Sequence, residues 1–152
     1  MRISDTLSLL VGSWELRRSI IDHRDGTAAS FTGRAVISMA GSRLSAPPAV
    51  PDRALYHETG RLRVGSYTGG ATRHLEYRRV DPGTVMIHFA DGRPFVDLDL
   101  RGGRWRSVHH CGDDLYVMVT TVRSERHLEE IWQVRGPTKS YDATTDLHRA
   151  ET

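Results

Sequence analysis

The chain has 152 residues, with 19 acidic side chains against 21 Lys and Arg for a net charge of +2, and 38% hydrophobic and 26% charged residues. That is length enough for one domain with its own core, and the composition is too apolar for intrinsic disorder and too evenly charged for a dedicated nucleic-acid surface. A single cysteine, Cys111, excludes an internal disulfide and suits a reducing compartment, taken here as the cytoplasm, and no apolar run approaches the roughly 20 residues that cross a bilayer.

The start places Asp5 where a secretory leader carries only positive charge, and the apolar stretch Leu7 to Val11 is too short for a leader core, so no signal peptide is expected. Ser4 to Leu10 reads as a short helix, capped by Ser4 or Asp5 and closed by Gly12. From Ser13 the pattern switches to a period of two. Trp14, Leu16, Arg18 and Ile20 share one strand face, and Phe31, Gly33, Ala35 and Ile37 form the next inward set. A loop from about Ala40 to Arg53, rich in Gly, Ser, Ala and Pro, precedes a strand with Tyr56, Glu58, Gly60, Leu62 and Val64 in phase.

Further inward sets follow as Arg73/Leu75/Tyr77/Arg79, Val85/Ile87/Phe89 and, past the tight turn Asp91-Gly92, Val96/Leu98/Leu100. Arg101-Gly102-Gly103 turns the chain again. Strands over about Trp105 to Cys111, Leu115 to Val122 and Leu128 to Val134 and a closing stretch from Tyr141 to Leu147 complete nine or ten. Short strands at this spacing, without intervening helices, predict an all-β domain over residues 1–152: an antiparallel up-and-down β-barrel of 8–10 strands with a short N-terminal helix.

Polar residues on inward faces are the most informative feature, because a buried carboxylate or guanidinium persists only with partners. Glu58 shares a face with Tyr56 and Leu62, Arg73 is in phase with Leu75 and Tyr77, Asp114 and Tyr116 alternate with Met118, and His109 is in phase with Trp105 and Cys111. Such groups either pair among themselves or orient a ligand in the lumen. Arg93, after the Asp91-Gly92 turn, could clamp an anion with its planar fork.

The cluster His109-His110-Cys111-Gly112-Asp113-Asp114 carries metal-ligating side chains, but neighbouring strand residues point to opposite faces, so His109 and His110 do not share an ion easily. No metal is expected there. Cys111 with His109 two residues away offers a thiol and a base, yet a thiol of this kind is more often inert. The chain contains no G-x-S-x-G elbow, P-loop or dinucleotide fingerprint.

Several words recur together: Val11-Gly12-Ser13-Trp14, Tyr56-x-Glu58-x-Gly60-x-Leu62, Phe89-Ala90-Asp91-Gly92-Arg93-Pro94-Phe95, His109-x-Cys111-x-x-Asp114-x-Tyr116 and Trp132-x-Val134-x-Gly136-Pro137-x-Lys139-x-Tyr141. Together they resemble a bacterial family known as domain-of-unknown-function family 6314, over nearly the whole chain. The opening Gly-x-Trp also resembles the first strand of lipocalins and related calycin barrels. That resemblance implies a tryptophan packed across the barrel floor against an arginine from the last strand, with Trp14 and Arg149 in those places. Family members often carry His after the Phe of the Asp-Gly-Arg-x-Phe word, where this chain has Val96.

The function expected is therefore binding of a small molecule in a partly polar lumen, by Tyr56, Glu58, Arg73, Tyr77, His88, Arg93, His109, Asp114, Tyr116 and Trp132. The alternative is a cofactor-independent isomerase, cyclase or hydratase working through Asp/Glu, His and Tyr acid/base chemistry. No catalytic residue and no cofactor is assigned. The expected partner is a small molecule rather than nucleic acid or a membrane, with a homodimer left open.

Overall fold

The computed structural model describes residues 2–40 and 52–151, so most of the expected loop from Ala40 to Arg53 lies outside the described residues. The alternation in the sequence is realised as ten strands: β1 (Gly12–Asp22), β2 (Ala28–Met39), β3 (Arg53–Val64), β4 (Tyr67–Asp81), β5 (Thr84–Phe89), β6 (Pro94–Asp99), β7 (Arg104–Cys111), β8 (Asp114–Ser124), β9 (His127–Arg135) and β10 (Ser140–Arg149). All pairs are antiparallel, in the order β6-β5-β4-β3-β2-β1-β10-β9-β8-β7. Because β1 pairs with β10, the meander curls round on itself, leaving β6 and β7 as the two ends of the sheet.

Those two ends meet through side chains. The Asp97 carboxylate on β6 accepts from Ser107 Oγ at 2.6 Å and from Trp105 Nε1 at 3.2 Å on β7, while the Asp97 amide donates to Ser107 Oγ at 3.2 Å. A row of unpaired strand groups is otherwise exposed to unwanted pairing, and these bonds occupy the seam.

One end of the barrel is closed by α1 (Thr6–Leu10), capped by the Asp5 carboxylate, which accepts from the amides of Leu7 and Ser8. Arg79 Nη2 donates to the other Asp5 oxygen at 2.8 Å, and Thr6 Oγ1 donates to Gly83 O at 2.5 Å and accepts from the Leu100 amide at 2.9 Å. Leu7 and Leu10 are buried against the lower core of Trp14, Val85, Leu98, Leu100, Leu128 and Leu147. No helix among the described residues is long and apolar enough to cross a membrane.

The expected arginine lies over Trp14. Arg149 Cζ is 4.1 Å from the Trp14 ring centroid, and its guanidinium donates to the carbonyls of Val11 and Leu9, tying the last strand to the end of α1. Trp14 Nε1 in turn donates to Leu10 O at 2.8 Å. Gly12, at φ 135, is held against this arginine: a Cβ there would lie 2.5 Å from Arg149 Nη1. A left-handed backbone and this close approach both require glycine.

Between β2 and β3 the paired glycines Gly33 and Gly60 let Phe31 lie flat across the sheet, since a Cβ on Gly60 would come within 2.6 Å of Phe31 Cζ. A bulge between β5 and β6 shifts the register between Ile87 and His88. An extra residue in one strand turns two successive side chains toward the same side. Here Phe95 and Val96 are both buried inside, although strict alternation admits only Val96.

Candidate functional site

The middle of the barrel is polar. Arg18 on β1 holds Glu58 on β3 in a two-point pair, Nη1 to Oε2 and Nη2 to Oε1, both at 2.9 Å. Arg18 Nε donates to Thr145 Oγ1 at 2.8 Å, and Tyr56 Oη donates to Glu58 Oε1 at 2.6 Å. The guanidinium also lies 5.3 Å from the Phe31 ring centroid. Two parallel charge-assisted bonds give this pair a fixed geometry.

Titration follows from the same contacts. Burial pushes the Glu58 carboxyl up, but the Arg18 bonds and charge, the Tyr56 hydroxyl and the nearby charge of Arg73 outweigh it and hold the group below the ordinary carboxylate value. Burial likewise opposes the charge of Arg18, and Glu58 outweighs it, so the guanidinium stays charged. Tyr56, buried and facing a carboxylate, is raised well above the ordinary phenol. Glu58 is therefore a fixed anion and Tyr56 a fixed donor.

Above this layer, at the end opposite α1, lies a cavity of about 310 Å³. Phe89, Phe95, Tyr116, Trp132 and Tyr141 form its aromatic wall, with Ile20 and Ala143 beside them and Arg18, Arg73, His109 and Cys111 as the remaining polar lining. Phe95 and Trp132 stack with centroids 5.1 Å apart and planes 7° from parallel, and His109 sets its edge against Phe95 at 5.1 Å. Tyr116 stands edge-on to both rings, at 78° to Phe95 and 83° to Trp132, so the wall combines one stacked pair with edge-to-face contacts. The Trp132 indole is itself anchored, donating to Glu130 Oε1 at 2.6 Å.

Arg73 differs from Arg18. It stands directly across from Glu58 in the β3–β4 register, yet among the described residues its guanidinium makes no hydrogen bond or ion pair within 4.0 Å. A guanidinium carries five donors in a planar fork, and that of Arg73 is half-buried on the cavity wall. Lys139 adds positive charge near the rim, bonded to Tyr116 Oη at 3.0 Å and 3.5 Å from Asp114.

Of the residues predicted from sequence, Arg73, His109, Tyr116 and Trp132 come together on the cavity wall. Glu58 lies beneath it, held by Arg18, with Tyr56 donating to Glu58, and Tyr77 lies deeper still, stacked on Tyr56 at 5.7 Å. Asp114 belongs to the rim, paired with Lys139 and packed against Gly136. Arg93 is exposed at the mouth, paired with Asp91 at 2.8 Å and lying 5.2 Å from the Phe89 ring centroid.

His88 is a correction. It alternates with Ile87 and Phe89, so it points outward, where its Nδ1 lies 3.0 Å from Gly92 O inside the β5–β6 hairpin, and it does not line the cavity. His109 faces the cavity while His110 is exposed on the other side, and among the described residues the segment 109–114 gathers no metal-type cluster.

Arg18, Phe89, Phe95 and Tyr141 belong to the site although the predicted binding set lacked them. Arg18 and Phe89 were on inward faces in the sequence pattern, and Tyr141 began the closing strand, so alternation was the available signal. Phe95 enters only through the bulge.

The fold is similar to that of an S-type phycobiliprotein lyase from Guillardia theta, with a TM-score of 0.71 at 9% identity, covering 100% of this chain and 94% of that one. It is also similar to Rv2717c from M. tuberculosis (TM-score 0.52, 14% identity, 95% of each chain). A de novo designed fluorescence-activating β-barrel shares the architecture as well (TM-score 0.50, 13% identity, 97% of this chain and 100% of that one). At such identities the likeness concerns the fold. No curated protein matches the chain in sequence. A family model matches residues 10–149, and the chain thus belongs to DUF6314, a family of unknown function.

Proposed function

We propose that the protein binds a small molecule with a flat aromatic or apolar body and an anionic group, the body lying against Phe95, Trp132 and Tyr116 and the anion taken by Arg73. The observation that carries this reading is Arg73 on the wall of an aromatic cavity, its guanidinium without a hydrogen bond or ion pair among the described residues. A pocket of mostly apolar surface with a few convergent polar groups is the usual form of a small-ligand site. The similarity to a barrel named as a phycobiliprotein lyase and to a designed barrel that activates fluorescence supports the same reading.

Acid/base catalysis has less support. Glu58 is held as an anion under Arg18, and Asp114 is paired with Lys139, so neither carboxylate stands free at the cavity wall. The exposed thiol of Cys111 suits work in a reducing compartment such as the cytoplasm.

The test is native mass spectrometry of protein purified without denaturation, followed by thermal shift with a panel of aromatic carboxylates and their uncharged amides. Binding to the native state raises the melting temperature by mass action. One bound small molecule per chain, or a shift with carboxylates that the amides do not give, is expected. A bare-chain mass together with no shift from any carboxylate would overturn the reading.

A further inference from the structure

The rule that separates His109 from His110 brings together another set of ligands on the outer wall. Residues two apart on a strand share a face, and Asp146 and His148 do so on β10, while the register sets His127 of β9 directly opposite His148. The two imidazoles stack with centroids 4.1 Å apart and planes 16° from parallel. His127 Nε2 lies 2.8 Å from Asp146 Oδ1, and one ligand atom from each of the three residues falls within 4.8 Å of the others.

We propose that His127, Asp146 and His148 form a binding site for a divalent transition-metal ion, of the zinc or nickel class, on the outside of the barrel. Imidazole and carboxylate donors suit zinc, nickel and copper, whereas magnesium and calcium favour an all-oxygen shell. With bonds of about 2.1 Å, ligand atoms around a tetrahedral ion stand about 3.4 Å apart, which small side-chain rotations reach from the separations present. Two other acidic groups of this face are engaged elsewhere: Glu129 is paired with Arg123 and Glu15 with Arg34, each at 3.0 Å. Three protein ligands leave at least one coordination position to solvent.

An ion here would link β9 to β10 one residue from Arg149, which ties the last strand to α1. Bound metal would therefore stiffen the closed end of the barrel, away from the cavity. The site does not depend on what that cavity binds.

The test is calorimetric titration of tag-free, chelator-treated protein with zinc chloride and, separately, nickel chloride. One ion per chain is expected, with affinity falling at least about tenfold in His148→Ala and in Asp146→Asn, since loss of one of three ligands removes a metal bond. His57→Ala is the control: it breaks the other cross-strand stacked histidine pair, His57 with His74 at 4.3 Å, and should leave binding unchanged. Circular dichroism confirms that the variants fold. No binding by the wild type, or equal affinity in His148→Ala and the wild type, would overturn the proposal.

Discussion

Glu58 and Arg73 sit directly opposite each other on β3 and β4, yet the Glu58 carboxylate is bound by Arg18, two strands away on β1. One guanidinium thereby holds the interior together and the other is left facing the cavity. The two arginines should separate cleanly in mutation. Arg18→Met strands a buried carboxylate and should destabilise the fold by about 3–5 kcal/mol. Arg73→Met breaks no hydrogen bond among the described residues and should stay within about 0.5–1 kcal/mol of the wild type. Urea denaturation of both variants distinguishes them, and equal losses would contradict this division of roles.

Stability should have an acid limb set by Glu58. Its folded-state pKa lies below the ordinary value of 4.5, so its contribution is fully present above that value and is lost as pH falls through the lower folded one. Glu58→Gln should reduce stability at neutral pH and flatten the slope below about pH 4.5. Chemical denaturation from pH 7 to pH 3 measures both effects. An unchanged acid slope in the variant would show that other groups carry it.

The clamp at the closed end predicts a stability cost far from the cavity. Arg149→Ala removes the cation over Trp14 and the donors to Leu9 and Val11, and a loss of about 2 kcal/mol is expected from the unsatisfied carbonyls and the cation–π contact. Gly12→Ala should cost a similar amount by strain and by displacing the same guanidinium. Melting temperatures report the loss, and binding of cavity probes should be unaffected once the variants are folded.

Phe95 ties the bulge to the cavity. Phe95→Ala removes a ring stacked on Trp132 and should cost about 3 kcal/mol, while widening the cavity that Trp132 lines. Trp132 fluorescence should shift to longer wavelength as water reaches the indole. No change in emission would place Trp132 outside the space that Phe95 helps enclose.

Alternation alone made the barrel and most of its inner face legible: Trp14, Leu16 and Arg18 on β1 and Tyr56 and Glu58 on β3 point inward as their phase requires. The Gly-x-Trp start carried the Trp14–Arg149 contact, because it reflects a way of closing a barrel rather than a local propensity. What escaped depends on the third dimension. Which arginine Glu58 would choose is decided by barrel curvature acting between residues 40 apart in sequence. The entry of Phe95 depends on a one-residue bulge that no composition signal marks. His88 carried the reverse lesson, since its own strand phase already placed it outside.

The central claim is tested most directly by titrating the protein with anilinonaphthalene sulfonate, an anionic aromatic dye, beside its uncharged relative N-phenylnaphthylamine, in wild type and Arg73→Met. A charge-assisted contact contributes roughly 1.5–3 kcal/mol, so the variant should bind the sulfonate at least about tenfold more weakly and the uncharged dye as well as the wild type does. Equal sulfonate affinity in wild type and variant, or no binding of either dye by the wild type, would contradict an anion site built on Arg73.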